Sequence, residues 1–166
     1  HLAAAAFAGI DPARAALTVW GDPEIDPAYT RRVRELAASG PVTLAGRFAE
    51  EEKARIFAGL DALLIPSVGL ESFGLVAREA MHHGVPVLAS RRGALAEMFA
   101  DGEAGALFEP DDEGALRGWI ERLIADPGQL DRWAAHLPEV KSTVAHAEEI
   151  EEVYEQVLAA AVPRSS

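Results

Sequence analysis

Short apolar runs alternate with helical patterns along most of this chain. The runs occupy residues 17–20, 42–44, 62–65, 85–89 and 106–108. Parallel strands must be joined by crossover connections, so this alternation predicts an α/β fold with a doubly wound, Rossmann-like parallel sheet. The run 62–65 is continuously apolar, which is typical of a strand covered by helices on both faces.

The segments between these runs carry the periodicity and the stop signals of helices. Apolar residues recur at helical spacing, and Gly40-Pro41 and Gly84 mark two helix ends. We expect helices at residues 2–8, 27–38, 50–60, 74–83, 94–99, 113–125, 128–135 and 143–161. Because the first residues already belong to a helical pattern, we expect a strand of the same sheet to lie upstream of His1.

The charge balance excludes several classes of function. The 166 residues include 27 acidic and 15 basic ones, a formal net charge of -12. Such a surface repels nucleic acid phosphates and anionic lipids, so we expect neither a nucleic acid partner nor membrane contact. The sequence has no cysteine and no apolar run long enough to span a bilayer. These features favour a cytoplasmic location.

The most informative segment follows the apolar run 62–65. Ligands of doubly wound sheets bind beyond the carboxyl ends of the strands. There the chain has Glu71 in a loop, then Gly74, and then a predicted helix. The free N–H groups at the helix start form a site for an anion, and we expect Gly74 to let a ligand approach the backbone.

Glu79 lies on the second turn of that helix. Helical side chains lean toward the N-terminus, so Glu79 can reach back toward the strand ends. A carboxylate can accept both hydrogens of a vicinal diol, as in a ribose, and Glu71 could bind the hydroxyls of a second sugar. A phosphate joining the two sugars would lie over the helix start, so the spacing favours a nucleotide-sugar. Two solvated glutamates at this spacing remain the alternative.

This segment resembles the donor-binding domain of the retaining glycosyltransferases of group 1 (family 4), which have two Rossmann-like domains in the GT-B architecture. The family signature is two glutamates separated by seven residues, here Glu71 and Glu79. Three further blocks match in order, namely residues 84–87, 93–97 and 101–108. The ordered series is far more specific than any single block.

The resemblance implies a role for each matching position. It implies transfer of a hexosyl group from a nucleoside diphosphate sugar to an acceptor hydroxyl with retention, without a metal or other cofactor. The donor hexose would contact the catalytic-site acid, and the ribose would contact the second acid. The resemblance assigns the hexose to Glu71, as the catalytic-site acid, and the ribose to Glu79. It assigns the contacts at the helix start to Ser72, Phe73, Gly74 and Leu75, and the contacts beside the base to Gly46 and Arg47.

The resemblance also implies how the chain is divided. Residues 1–142 would form the donor-binding domain without its first strand, and residues 143–166 a closing helix that crosses to an N-terminal acceptor domain. The family's diphosphate-binding Arg/Lys pair would lie upstream of His1, so we expect this segment alone to be inactive. Gly21-Asp22-Pro23 replaces the usual Gly-x-Gly-Pro, and Ala94 and Ala96 replace a glycine and a proline.

Two other functions stay open from the sequence. One is a sugar-nucleotide epimerase of the same architecture, and the other is a non-catalytic Rossmann-like module. A dinucleotide oxidoreductase is disfavoured because no Gly-x-Gly-x-x-Gly follows a strand. We expect structural roles for His82 and His83 and core packing for the tryptophans Trp20, Trp119 and Trp133. A solvated turn is the favoured interpretation of Arg91-Arg92, with anion contact as the alternative.

Overall fold

The computed structural model describes residues 1–161. The last residues of the predicted closing segment, 162–166, lie outside the described residues. The strands are β1 (Leu17–Trp20), β2 (Val42–Gly46), β3 (Leu63–Ile65), β4 (Val87–Ser90) and β5 (Gly105–Phe108). The helices are α1 (Leu2–Ala6), α2 (Pro27–Ala37), α3 (Lys53–Phe57), α4 (Leu75–His82), α5 (Glu113–Ala125), α6 (Gly128–Ala134) and α7 (Thr143–Ala161). Short 3-10 turns cover Glu50–Glu52 and Gly93–Glu97.

Every strand pair in the described chain is parallel. β1 pairs with β2, and β3, β4 and β5 form a second ladder in that order. This arrangement confirms the predicted parallel α/β, Rossmann-like class. It differs from a single continuous sheet because β1 and β3 are not hydrogen-bonded to each other within residues 1–161. Hydropathy reports burial and not strand pairing, so the sequence pattern could not show this division.

The second ladder carries a core on both of its faces. All four residues of β4 are buried, and alternate side chains point to opposite sides. Val87 and Ala89 pack with residues of α4, whereas Leu88 packs with residues of α1, α5 and α6. The side chain of Trp133 is only 1% exposed, and its indole N–H donates to the carbonyl of Gly102 at 2.8 Å. This confirms its predicted packing role.

Helix boundaries follow local capping, and two predicted helices are wrong in part. Asp26 caps α2 by accepting the Tyr29 N–H at 2.9 Å, and Asp112 caps α5 in the same way. The segment expected to be helical at 50–60 is a 3-10 turn followed by α3, which ends at Phe57. The segment expected at 94–99 is only a 3-10 turn at Gly93–Glu97, and the Met98 N–H that follows it donates to the carbonyl of Leu95, three residues back.

The closing helix α7 exposes an apolar stripe. Its exposed large side chains recur at the i, i+3, i+4, i+7 spacing of one helix face. They are Ile150, Val153, Tyr154, Val157 and Leu158, with Val144 also exposed. No helix within residues 1–161 has both the length and the hydropathy needed to cross a bilayer.

Candidate functional site

The loops that follow β2, β3 and β4 all leave the carboxyl ends of parallel strands. The loop after β3 leads into α4 and carries Glu71. The loop after β4 leads into the 3-10 turn at Gly93–Glu97. The loop after β2 begins at Gly46 and leads toward α3. The loops after β3 and β4 leave the same edge of one ladder, and the contact between Lys53 and Glu79 brings the segment after β2 beside them. Ligands of such folds bind at this rim.

Glu71 is held in place by its neighbours through both its side chain and its backbone. The Ser67 hydroxyl donates to the Glu71 carboxylate at 3.1 Å, and the Glu71 side chain is half-buried. The carbonyl of Glu71 accepts the N–H of Ala94 at 2.9 Å. The Arg92 guanidinium donates to the Val68 carbonyl. The β3 loop is therefore attached to the β4 loop, which restricts where the carboxylate can lie.

Gly93 makes this attachment possible. Its φ of +56° lies in the left-handed region, and a Cβ at this position would lie 2.4 Å from the Glu71 carbonyl oxygen. No side chain can occupy that space, so the two loops can approach this closely only through glycine. The sequence blocks 71–79 and 93–97 are thus in direct contact.

Gly74 begins α4 in the left-handed conformation, with a φ of +70°. A Cβ at this glycine would lie 2.7 Å from the terminal methyl of Met98 and 3.2 Å from Leu95. The sequence interpretation, in which the missing side chain makes room for a ligand, is therefore wrong on this point. The space is filled by Met98 and Leu95, and the glycine is needed for the backbone turn and for this packing.

The start of α4 still presents unused donors. Within residues 1–161 the backbone N–H groups of Phe73, Gly74 and Leu75 have no protein acceptor. Ser72, Phe73 and Leu75 are exposed. The Arg78 guanidinium lies 4.4 Å from the centre of the Phe73 ring and donates to the Phe73 carbonyl at 3.2 Å. This arrangement fixes the turn with its N–H groups free, which suits an anionic ligand.

Glu79 projects from the second turn of α4 and meets Lys53 on the first turn of α3. The Lys53 ammonium donates to Glu79 Oε1 at 2.8 Å and also lies 2.8 Å from Glu50 Oε1. The side chain of Lys53 is 21% exposed and that of Glu79 is 37% exposed. The hydrogen bonds that the ammonium donates to Glu50 and to Glu79 raise the pKa of Lys53 above its usual value, so the ammonium is charged at neutral pH.

Gly46 and Arg47 lie at the end of β2, beside a groove of about 370 Å³. Gly46 has a φ of +80° with open space where a Cβ would be. The Arg47 guanidinium forms an ion pair with Asp22, whose pKa it lowers through that hydrogen bond. Trp20 and Phe48 line the same groove. Trp20 is half-buried, so it is not the wholly packed core residue that the sequence favoured.

Several site residues were missed at the level of sequence. Lys53, Asp22 and Ser67 each bind a predicted site residue, and Lys53 and Asp22 are more than twenty positions away from their partners. Of these three residues, only Ser67 could have been found from the sequence, because it lies in the same loop as Glu71.

Some neighbouring polar residues are engaged within the fold. His83 lies against the Phe57 ring and is hydrogen-bonded to the Glu79 carbonyl at 2.8 Å, which confirms its structural role. Arg91 pairs with Asp101 and Glu109, and Arg92 binds the Val68 carbonyl. Arg91 is exposed, as expected of a solvated turn, whereas Arg92 is half-buried, and the prediction did not include these contacts. Both hold loops together.

Comparison with known proteins identifies the family. The sequence model of the family "Glycosyl transferases group 1" matches residues 1–126. The chain belongs to the group 1 glycosyltransferases. Among curated relatives, it is 36% identical over 132 residues to MMP alpha-(1->4)-mannosyltransferase of Mycolicibacterium hassiacum, covering 76% of this chain and 32% of that protein. It is 32% identical over 139 residues to D-inositol 3-phosphate glycosyltransferase of Nocardiopsis dassonvillei, covering 82% and 32%.

Solved structures share the fold of this group 1 chain. Sucrose-phosphate synthase from Thermosynechococcus elongatus superposes with a TM-score of 0.79 at 31% identity, covering 96% of this chain and 42% of that one. Anabaena HepE, in complex with UDP and glucose, superposes with a TM-score of 0.82 at 24% identity, covering 93% and 44%. The chain spans about a third of the length of each of the two curated relatives named above.

The remaining expectations about this group 1 chain stay predictions. These concern the absence of a metal, of a cofactor, of nucleic acid and membrane partners, the cytoplasmic location, and the division at residue 142. In the described part of the chain, no three His, Asp or Glu side chains converge as a metal site would require. The roles of the individual donor-site residues are proposals.

Proposed function

We propose that the protein containing this chain transfers a hexosyl group from a nucleoside diphosphate sugar to an acceptor hydroxyl with retention of configuration. This chain supplies the donor site. The observation that carries the proposal is the arrangement around α4. One carboxylate, Glu71, lies before the helix and another, Glu79, on its second turn, with unused N–H groups between them. The relatives named above, a mannosyltransferase and an inositol-phosphate glycosyltransferase, support the reaction class.

The two carboxylates match the two sugars of such a donor. Glu71 is fixed by Ser67 and would accept hydroxyls of the hexose. Glu79 would accept the ribose diol, and the diphosphate would lie over the N–H groups of Phe73, Gly74 and Leu75. The base would lie beside Gly46 and Arg47, in the groove lined by Trp20. The UDP and glucose in Anabaena HepE support a nucleotide-sugar as the ligand class.

The proposed mechanism assigns positioning and charge stabilisation to this chain. Binding both sugars orients the bond that must break between hexose and phosphate. The helix-start N–H groups stabilise the negative charge that develops on the leaving diphosphate, and the helix dipole has the same effect. In this arrangement Glu71 is the carboxylate that contacts the hexose. It acts on hydroxyls and need not form a covalent bond.

The acceptor and the remaining donor contacts are assigned to an N-terminal domain of the same protein. Two observations support this partner. The chain matches only about a third of the length of each of the two curated relatives named above, and α7 exposes an apolar stripe that includes Val153, Val157 and Leu158. An exposed stripe of this kind is typical of a surface that another domain covers.

Replacing Glu79 by alanine tests the donor site. Hydrogen bonds to a charged carboxylate contribute about 1.5–3 kcal/mol, so Glu79→Ala should weaken nucleotide binding about 10- to 100-fold by calorimetry. Glu35→Ala removes the same charge from an exposed position on α2 and should leave affinity unchanged. Equal affinities for wild type and Glu79→Ala would remove Glu79 from the site.

The same titrations separate the alternatives that the sequence left open. A non-catalytic Rossmann-like module predicts no saturable binding of UDP, GDP or ADP by the wild type. A sugar-nucleotide epimerase predicts binding, together with conversion of the free sugar nucleotide in the absence of any acceptor. The proposed transferase predicts binding and no epimerised product.

A further inference from the structure

Lys53 contacts the predicted donor site through the carboxylate of Glu79. It is one of only two lysines in the sequence, the other being Lys141. Its side chain is mostly covered although it begins a surface helix, and its ammonium contacts Glu50 and Glu79 at the same distance of 2.8 Å. An exposed ion pair between two mobile side chains contributes little to stability, because ordering both side chains costs entropy. Lys53 is instead mostly covered and is held by two carboxylates.

The position of Lys53 follows from the topology. Helices α3 and α4 begin after the loops of β2 and β3, so both helices start near the carboxyl-end rim. The first turn of α3 therefore meets the second turn of α4, and Lys53 reaches Glu79 across this junction. The loop of Gly46 and Arg47 precedes the same helix. Lys53 thus contacts the predicted ribose-binding carboxylate and, along the chain, follows the loop predicted to lie beside the base.

We propose that Lys53 is a positioning residue that orients the Glu79 carboxylate toward the ribose diol of the donor. The proposal rests on the proposed function. An ammonium has three donors, and two are directed at Glu50 and Glu79. Fixing Oε1 of Glu79 limits the rotation of the carboxylate, and Oε2 and the second lone pair of Oε1 remain available for the diol.

The positive charge of Lys53 would also favour binding of the donor. Glu50 and Glu79 with Lys53 carry a net charge of minus one, and without Lys53 the two carboxylates would carry minus two. A diphosphate approaching this edge would then meet stronger repulsion, and Glu79 would be free to turn toward solvent. A pure charge effect and an orientation effect differ in one respect. Only the orientation effect requires the ligand to have a ribose diol.

The test compares two ligands and four proteins, using the full-length protein that contains this chain. Calorimetry first identifies which of UDP, GDP and ADP binds the wild type. That nucleotide and its 2′,3′-dideoxy analogue are then titrated into wild type, Lys53→Met, Lys53→Arg and Lys141→Met. Lys141 pairs with Glu149 and lines a groove at the other end of α4, so Lys141→Met is a control for lost positive charge.

We expect Lys53→Met to weaken binding of the ribonucleotide about 3- to 30-fold and binding of the dideoxy analogue less than about 2-fold. Lys53→Arg should retain most of the affinity, and Lys141→Met should match the wild type. Unchanged affinity in Lys53→Met, or equal loss for both ligands, would overturn the proposal while leaving the donor site in place. Failure of the wild type to bind any of the three nucleotides would instead overturn the proposed function, and this inference with it.

Discussion

Replacing Gly93 by alanine should lower the free energy of unfolding and weaken donor binding, because the loop of Glu71 packs directly against this glycine. Alanine in the left-handed region costs about 1–2 kcal/mol. The new Cβ would lie 2.4 Å from the Glu71 carbonyl oxygen, so one of the loops must move by at least half an ångström. Forcing a group into packed space costs about 1–3 kcal/mol more. We therefore expect a total loss of about 2–5 kcal/mol in the free energy of unfolding.

The matched control is Gly9→Ala. Gly9 has a φ of +71°, and no heavy atom lies within 4 Å of where its Cβ would be. This variant carries the left-handed cost of about 1–2 kcal/mol without the steric one. Urea unfolding of both variants isolates the clash, and calorimetry with the nucleoside diphosphate sugar, which includes the hexose assigned to Glu71, shows whether Glu71 has moved. The reasoning is refuted if Gly93→Ala is no less stable than Gly9→Ala and binds the nucleoside diphosphate sugar with wild-type affinity.

Two further substitutions test the packing and the electrostatics of the described fold. Trp133→Phe leaves the Gly102 carbonyl without its indole donor and should lower the free energy of unfolding by about 1–3 kcal/mol, as measured by urea titration. An unchanged midpoint would show that the hydrogen bond is not made. Arg47 lowers the pKa of Asp22, so this carboxylate stabilises the fold above its unfolded pKa, near 3.8, and the contribution disappears as the pH falls through the folded pKa. Asp22→Asn should therefore be less stable than wild type near pH 7, and the difference should vanish in strong acid. A difference that persists there would assign the effect to something other than ionisation.

The sequence was sufficient for the class of fold because burial has a direct signature in hydropathy. β4 is buried on both faces, and its residues Val87, Leu88 and Ala89 form an apolar run. Asp112, which caps α5, and the end of α5 at Ala125 lie where sequence signals place them. The pair Glu71 and Glu79 was found for a similar reason. Glu71 lies in a loop and Glu79 in the helix that follows it directly, so local geometry sets the distance between them.

The site beyond that pair depends on contacts between distant segments. Lys53 is remote from Glu79 in the chain, and no periodicity connects a lysine on one helix with a glutamate on the next. Gly93 illustrates the same limit. The sequence shows a glycine, but only the packed structure shows that the Glu71 carbonyl occupies the space of its missing side chain.

Local chemistry along the chain thus determined the strands, the helices and the two carboxylates beside one helix start. Tertiary structure decided how the strands are grouped, why Gly74 and Gly93 are glycines, and which cation meets Glu79. The reason is physical. Hydropathy and capping act over a few residues, whereas pairing, packing and ion pairs act between side chains that the fold alone brings together.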